Sequence, residues 1–296
     1  VLIADLLPGF DLTEIGPNRF AAPNMDYYRL MAGKPGSGSD AVTDIITGGQ
    51  FLSQAIMATK RLHPQKEVKS LHMIFARGGR VSVPTEIEVD PVQSGSTFSS
   101  LAVNFIQNEK KVAASLVLAH AIEGDLVRHE SPPPEVETPK GGKLKLSSIG
   151  PFEYGYPVGP GGVDVLAPES VGLPELPLWV RVPSAPKDPA VHQGLLAFMS
   201  VFQIIGTSLR PHAGLSASMA HTKISTGPMA HSCSFHEPVD ISDWILLHHQ
   251  APYAGRGRIY GRSDAYTSGG KLIASFTQDS MVRPLAHGAG RSGGTF

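Results

Sequence analysis

The residues best placed to do chemistry are histidines and one glutamine. The chain has 12 histidines in 296 residues. His212, His221, His231, His236, His248 and His249 all fall in its second half. An imidazole titrates near neutrality and can take or give a proton, so any of these is a candidate acid or base. Gln278, in the segment SFTQDS, offers a different service. A carboxamide is no base, but it can hold a water or donate to a carbonyl oxygen. Gly48-Gly49-Gln50 stands where a helix begins. Bare backbone N–H groups there can polarise a carbonyl, and glycines allow its close approach. No HExxH pair is present and the single cysteine, Cys233, leaves no CxxC, so no metal is expected. No GxSxG elbow is present to activate a serine, and Ser200 reads as helix packing. Asp26, Asp40 and Asp44 read as loop acids or helix caps.

Such groups need a scaffold, and the chain describes one twice. Phe75 opens a segment ending at Lys111-Val112-Ala113-Ala114-Ser115, and Phe235 opens one ending at Lys271-Leu272-Ile273-Ala274-Ser275. Both landmarks recur at an offset of 235 − 75 = 271 − 111 = 160 residues. A repeat this long is a duplicated domain. In each copy an apolar-faced helix (FLSQAIMATKRL, then HQGLLAFMSVFQIIGTSL) precedes a run of strands. Asn108-Glu109-Lys110 and Ser268-Gly269-Gly270 provide the last hairpin turn of each copy. A helix followed by antiparallel strands predicts a curved sheet wrapped around the helix, an α+β unit, with edge strands of the two copies joined into one sheet. A ligand is expected in the crevice between them. The expected boundaries are 1–125 for the first unit, 126–174 for a Pro/Gly-rich surface linker, 175–286 for the second unit and 287–296 for a flexible tail.

Composition narrows the function classes. A net charge of −1 argues against a nucleic-acid binder. One cysteine excludes an intrachain disulfide framework, and the N-terminal VLIADLLPGF lacks the basic flank of a signal peptide. No apolar run reads as a membrane span. A soluble cytoplasmic protein without a cofactor is expected.

The ordered segments GGQFLSQAI, SLHMIFARGG, HQGLLAFMS, RPH, AHSCSFHEP, DWILLHHQAP, GRGRIYG and LIASFTQDSMVR resemble the acyl-CoA thioesterase II (TesB-like) family over residues 47 to 283. The resemblance implies a double hotdog fold, hydrolysis of an acyl-CoA or carrier-bound acyl thioester, and association into homo-oligomers. It also implies a water-orienting trio of Asp, Thr or Ser, and Gln. The Gln falls on Gln278. The Asp falls on Val201, and the Thr or Ser on Pro228 when the match is anchored at His231-Ser232. Ser225 and Thr226 lie just upstream, so a slip of register would bring a hydroxyl to that place. His221, in the same lengthened loop, is the histidine without a family counterpart. The expected catalytic set is therefore Gln278, Thr226 and His221. Gly48, Gly49, Gln50, Val201, Pro228 and His231 are expected to line the substrate. Two rival readings remain open: a repurposed dehydratase, isomerase or cyclase of a bulky polyketide-like substrate, and a non-catalytic acyl-binding protein.

Overall fold

The computed structural model describes residues 2–27, 44–162, 164–220 and 222–285. His221, Asp40 and the expected tail 287–296 lie outside them. Thirteen antiparallel strands form one continuous sheet, in the order β1-β2-β4-β5-β6-β3-β10-β13-β12-β11-β9-β8-β7. The first half contributes β1 (Thr13–Gly16), β2 (Arg19–Ala21), helix α1 (Gly48–Leu62), β3 (Glu67–Phe75), β4 (Glu86–Ser94), β5 (Phe98–Gln107) and β6 (Lys110–His120). The second contributes β7 (Leu144–Ile149), β8 (Phe152–Pro157), β9 (Glu175–Arg181), helices α2 (Pro189–Ser200) and α3 (Ile204–Leu209), β10 (Ile224–Phe235), β11 (Ile245–Gly255), β12 (Arg258–Thr267) and β13 (Leu272–Pro284). This is the α+β double hotdog, two helices each held in a curved sheet.

The halves join through β3 and β10, where Ser232 stands opposite His72. Those two positions are themselves 160 residues apart, so the pseudo-twofold axis passes between them. Their side chains meet across it, with His72 Nδ1 2.7 Å from Ser232 Oγ. The turn read at 108–110 is also real. Asn108 (φ 48°) and Glu109 (φ 62°) take the left-handed conformation that a tight two-residue hairpin requires.

Three expectations need correction. The segment 126–174 is more than a surface linker, because it holds β7 and β8, which extend the sheet beyond β9. In the strand order β8 is the counterpart of β1, and β9 that of β2. Glycine and proline in FEYGYP obscure the alternation, yet Phe152, Tyr154 and Tyr156 are buried. The second correction concerns the helix read as continuous through HQGLLAFMSVFQIIGTSL. It breaks after Ser200, and Gln203 sits at φ 71°, where a right-handed helix cannot continue. The joined run Pro189–Leu209 is long and apolar enough to cross a membrane, contrary to the expectation that no such run exists; here most of it is buried inside the fold.

The two long helices touch at small residues. A side chain at Gly49 would meet the Phe198 carbonyl oxygen at 2.6 Å, so the backbones pack with no room for a methyl group. Ser53 Oγ bonds the Gly49 carbonyl at 3.0 Å and, across the interface, the Gly194 carbonyl at 2.8 Å. Phe198 stacks on Phe152 at 5.7 Å between ring centroids, tying this crossing to β8.

Candidate active site

Inward-facing residues of β10 and β13 build the site. Antiparallel register sets His231 opposite Gln278, Pro228 opposite Ser280 and Thr226 opposite Val282. A bulge between Pro228 and Ala230 absorbs Met229 and keeps Pro228 and His231 on one face. Proline is tolerated here because the β3 ladder reaches only to Ala230, so Pro228 owes no N–H on that side.

A buried chain of hydrogen bonds runs across this face. His231 Nδ1–H donates to Gln278 Oε1 at 2.9 Å, and Gln278 Nε2 donates to Ser280 Oγ at 2.9 Å. On the other side Ser200 Oγ lies 2.8 Å from His231 Nε2 and 2.8 Å from the Ala197 carbonyl, so its one proton serves either. Ser200, His231 and Ser280 are fully buried and Gln278 almost so. Alternation along β10 and β13 and the end of α2 together supply the four groups. The Gln278 amide is thereby held in one orientation, and one of its two N–H bonds stays uncommitted to these partners.

Both ends of the chain reach helix termini. Val201 follows Ser200 as the C-cap of α2 and packs into the apolar core. At the other end, a side chain at Gly48 would meet the Pro228 ring at 3.4 Å. The start of α1 thus lies against the β10 bulge, and Thr47 makes no side-chain cap to its first amides.

Of the residues expected from sequence, Gly48, Pro228, Gln278 and His231 are brought onto this one track, while Val201 follows Ser200 in the chain and packs into the apolar core. Gly49 is next to it but serves the helix crossing. Gln50 is directed elsewhere: its Oε1 accepts from the Met25 amide at 2.8 Å, anchoring the N-terminal segment. Thr226 shares the inward face but stands two rows from Gln278, on the order of 13 Å along the strand. Ser200 and Ser280 are the additions. Ser200 read as packing, and only the strand register reveals Ser280 beside Gln278. Asp44 secures a loop through Ser82, whose amide and hydroxyl both donate to it. Three other histidines hold the scaffold: His192 accepts from the Ile241 amide at 3.0 Å, His248 pairs with Glu175, and His236 sits between Lys69 and Ser275. Among the described residues no group of three or more His, Cys, Asp or Glu side chains could hold a metal.

Burial governs the titration of the site. His231 is pushed down to about 4, chiefly by loss of solvent, with the Gln278 hydrogen bond opposing and His72 adding a little. His249 is pushed down to about 3 by burial and then by His248 and His231. Both imidazoles are neutral when folded at pH 7. An unfolded histidine titrates near 6.5. Above that pH neither state binds the proton and stability is complete; below it only the unfolded state gains protons. Stability is therefore expected to fall as pH drops from 6.5 toward 4, by roughly 3 kcal/mol for His231 alone. Urea denaturation of wild type and His231→Gln at pH 7 and pH 4.5 measures this. An equal loss in both proteins would show that His231 is not its source.

Residues 175–282 match the family model described as acyl-CoA thioesterase, and residues 37–121 match the acyl-CoA thioesterase N-terminal domain. Human acyl-coenzyme A thioesterase 8 is 26% identical over 261 residues, covering 80% of each chain. Acyl-CoA thioesterase 2 of Haemophilus influenzae is 25% identical over 260 residues, covering 80% of this chain and 87% of its own. Among solved structures, the acyl-CoA thioesterase II TesB2 of Mycobacterium marinum superposes with a TM-score of 0.76 at 20% identity, covering 95% of this chain and 99% of that one. A hot dog fold protein of Alicyclobacillus acidocaldarius gives 0.73 at 16% identity, covering 97% and 100%.

Proposed function

We propose that this chain, whose two halves match the acyl-CoA thioesterase model and the acyl-CoA thioesterase N-terminal domain model, hydrolyses an acyl thioester of CoA or of a carrier protein, in the cytoplasm. The observation that carries this reading is the buried Gln278 amide, fixed by His231 and Ser280 beside the bulge that meets the start of α1. Its remaining N–H holds the attacking water or the thioester carbonyl. The uncapped amides of α1 face the oxyanion that forms. Water adds to the carbonyl carbon, the C–S bond breaks, and the thiol leaves carrying one of the water's protons.

Proton removal is the weak step. Val201 cannot take a proton, and His231, titrating near 4, is a poor base at neutral pH. Slow turnover follows. Gln278→Ala is expected to lower thiol release from a panel of acyl-CoAs about 100-fold, since each preorganised donor is worth that order. Wild-type rates in the Gln278→Ala protein would remove Gln278 from the mechanism.

The apolar pair Val201 and Pro228 favours a second reading. A site that has replaced its water-binding groups suits a reaction from which water is excluded, such as dehydration, isomerisation or cyclisation of a bulky acyl substrate. Simple retention of an acyl chain is the other such outcome. Absence of thiol release from every acyl-CoA, with binding intact, selects this reading.

A further inference from the structure

Beyond the hydrogen-bonded track, five buried side-chain polar atoms among the described residues of the second half make no hydrogen bond: Arg210 Nε at the end of α3, both ring nitrogens of His249, the Ser263 hydroxyl and the Thr207 hydroxyl. The last four gather in one place. His249 and Ser263 stand opposite each other on β11 and β12. Ser263 in turn opposes Phe276, a core residue, so both face inward. Helix α3 packs over these two strands. Its Ile204 rests on Gly261, where an added Cβ would come within 2.4 Å of Ile204 Cγ2. Gly261 precedes Ser263 by two residues on the same face of β12. Thr207 follows Ile204 by three, which keeps it on the sheet-facing side of the helix.

Buried polar groups are almost always paired, and a cluster that is not paired within the protein marks a place for a group from outside. Burial keeps His249 neutral, so its ring offers one N–H donor and one bare nitrogen acceptor. The two hydroxyls each donate and accept. That combination complements a neutral oxygen. It carries no positive charge with which to pair a buried carboxylate or phosphate.

The location relates the cluster to the reaction. Gln278 lies on β13 and His249 on β11, two strands away, on the order of 10 Å. A thioester carbonyl at Gln278 would place its acyl chain's middle or far end beneath α3.

We propose that His249, Ser263 and Thr207 form a specificity subsite for a neutral oxygen on the acyl group, so that the protein selects acyl thioesters bearing a hydroxyl or keto group well down the chain. This rests on the reading of the site as one that binds acyl thioesters. The test is a series of acyl-CoAs from hexanoyl to dodecanoyl, each with and without an ω-hydroxyl or ω-1 keto group, assayed for thiol release. At the best length the oxygenated ester is expected to exceed its plain partner in kcat/KM by roughly 100-fold. That preference should disappear in His249→Phe and shrink in Ser263→Ala, while turnover of the plain ester persists. Equal handling of the pairs by wild type, or a preference that survives both substitutions, overturns the subsite. Should no ester release thiol, hydrolysis fails as the function, and the same pairs made as CoA thioethers decide the subsite by calorimetry. Tighter binding of the oxygenated member, lost in His249→Phe, supports it; equal affinity overturns it.

Discussion

Val201→Asp is expected to raise thiol release from acyl-CoA by two orders of magnitude or more over wild type. A positioned general base contributes about 10²–10⁴-fold, and the hydrogen-bonded row His231–Gln278–Ser280 lies opposite Pro228, which meets the start of α1. The position itself favours basicity. Val201 caps the C-terminal end of α2, where the helix dipole is negative and opposes a carboxylate. It is also only 8% exposed, and burial disfavours the charged form as well. Both influences lift an aspartate there toward neutrality, which suits proton abstraction. The same burial carries a cost of about 1–3 kcal/mol in stability. Val201→Asn separates the two effects, because it adds a polar group of the same size without a base. Activity from the aspartate alone identifies the missing carboxylate as the limiting deficiency. Equal activity in both, or in neither, shows that the track does not orient water for attack.

Gly49→Ala is expected to be strongly destabilising. Helix propensity alone favours alanine by about 1 kcal/mol. Sterics oppose it, because the added carbon would sit 2.6 Å from the Phe198 carbonyl oxygen and 3.0 Å from its Cα. Backbone cannot step aside as a side-chain tip does, so the helices must separate. Overpacking of this kind costs about 1–3 kcal/mol and occasionally more. A net loss of about 2 kcal/mol or more is expected, read as a fall in Tm of about 5 °C. Separation also draws the start of α1 away from Pro228, so activity should fall with stability. Two neighbours calibrate the result. Gly48→Ala meets the end of the Phe75 ring at 2.9 Å, which can swing, and should cost less. Gly194→Ala finds only ordinary contacts at 3.6 Å and beyond and should be neutral or slightly stabilising. Equal effects at all three positions would mean that the helix crossing is not sterically limited.

The architecture was legible because duplication writes most elements twice, and an error in one copy is checked by the other. The linker misreading shows where that check failed. FEYGYP hides its alternation behind glycine and proline, and its counterpart β1 is only four residues long. The helix break after Ser200 was invisible for a different reason. Val201, Phe202 and Gln203 carry no glycine or proline, and it is the left-handed Gln203 that turns the chain. Individual site residues could be named from sequence, but their partners could not. Nothing in AHSCSF or SFTQDS states that His231 faces Gln278, since strand register across 47 residues is a tertiary fact. His249 was one histidine among twelve until the sheet set it opposite Ser263.

The seam at His72 and Ser232 shows what covalent fusion made possible. Two separate, identical subunits meeting on a twofold axis must present every residue there to itself, so imidazole would confront imidazole or hydroxyl would confront hydroxyl. In one continuous polypeptide each side mutates alone, and a donor can be matched to an acceptor. The same freedom reaches the interior, where Val117, opposite Leu71 in one copy, occupies the place that Gln278, opposite His231, holds in the other. Symmetry breaking at the seam and divergence between the lobes thus have one origin, and the buried row of His231, Gln278 and Ser280 belongs to the second lobe alone.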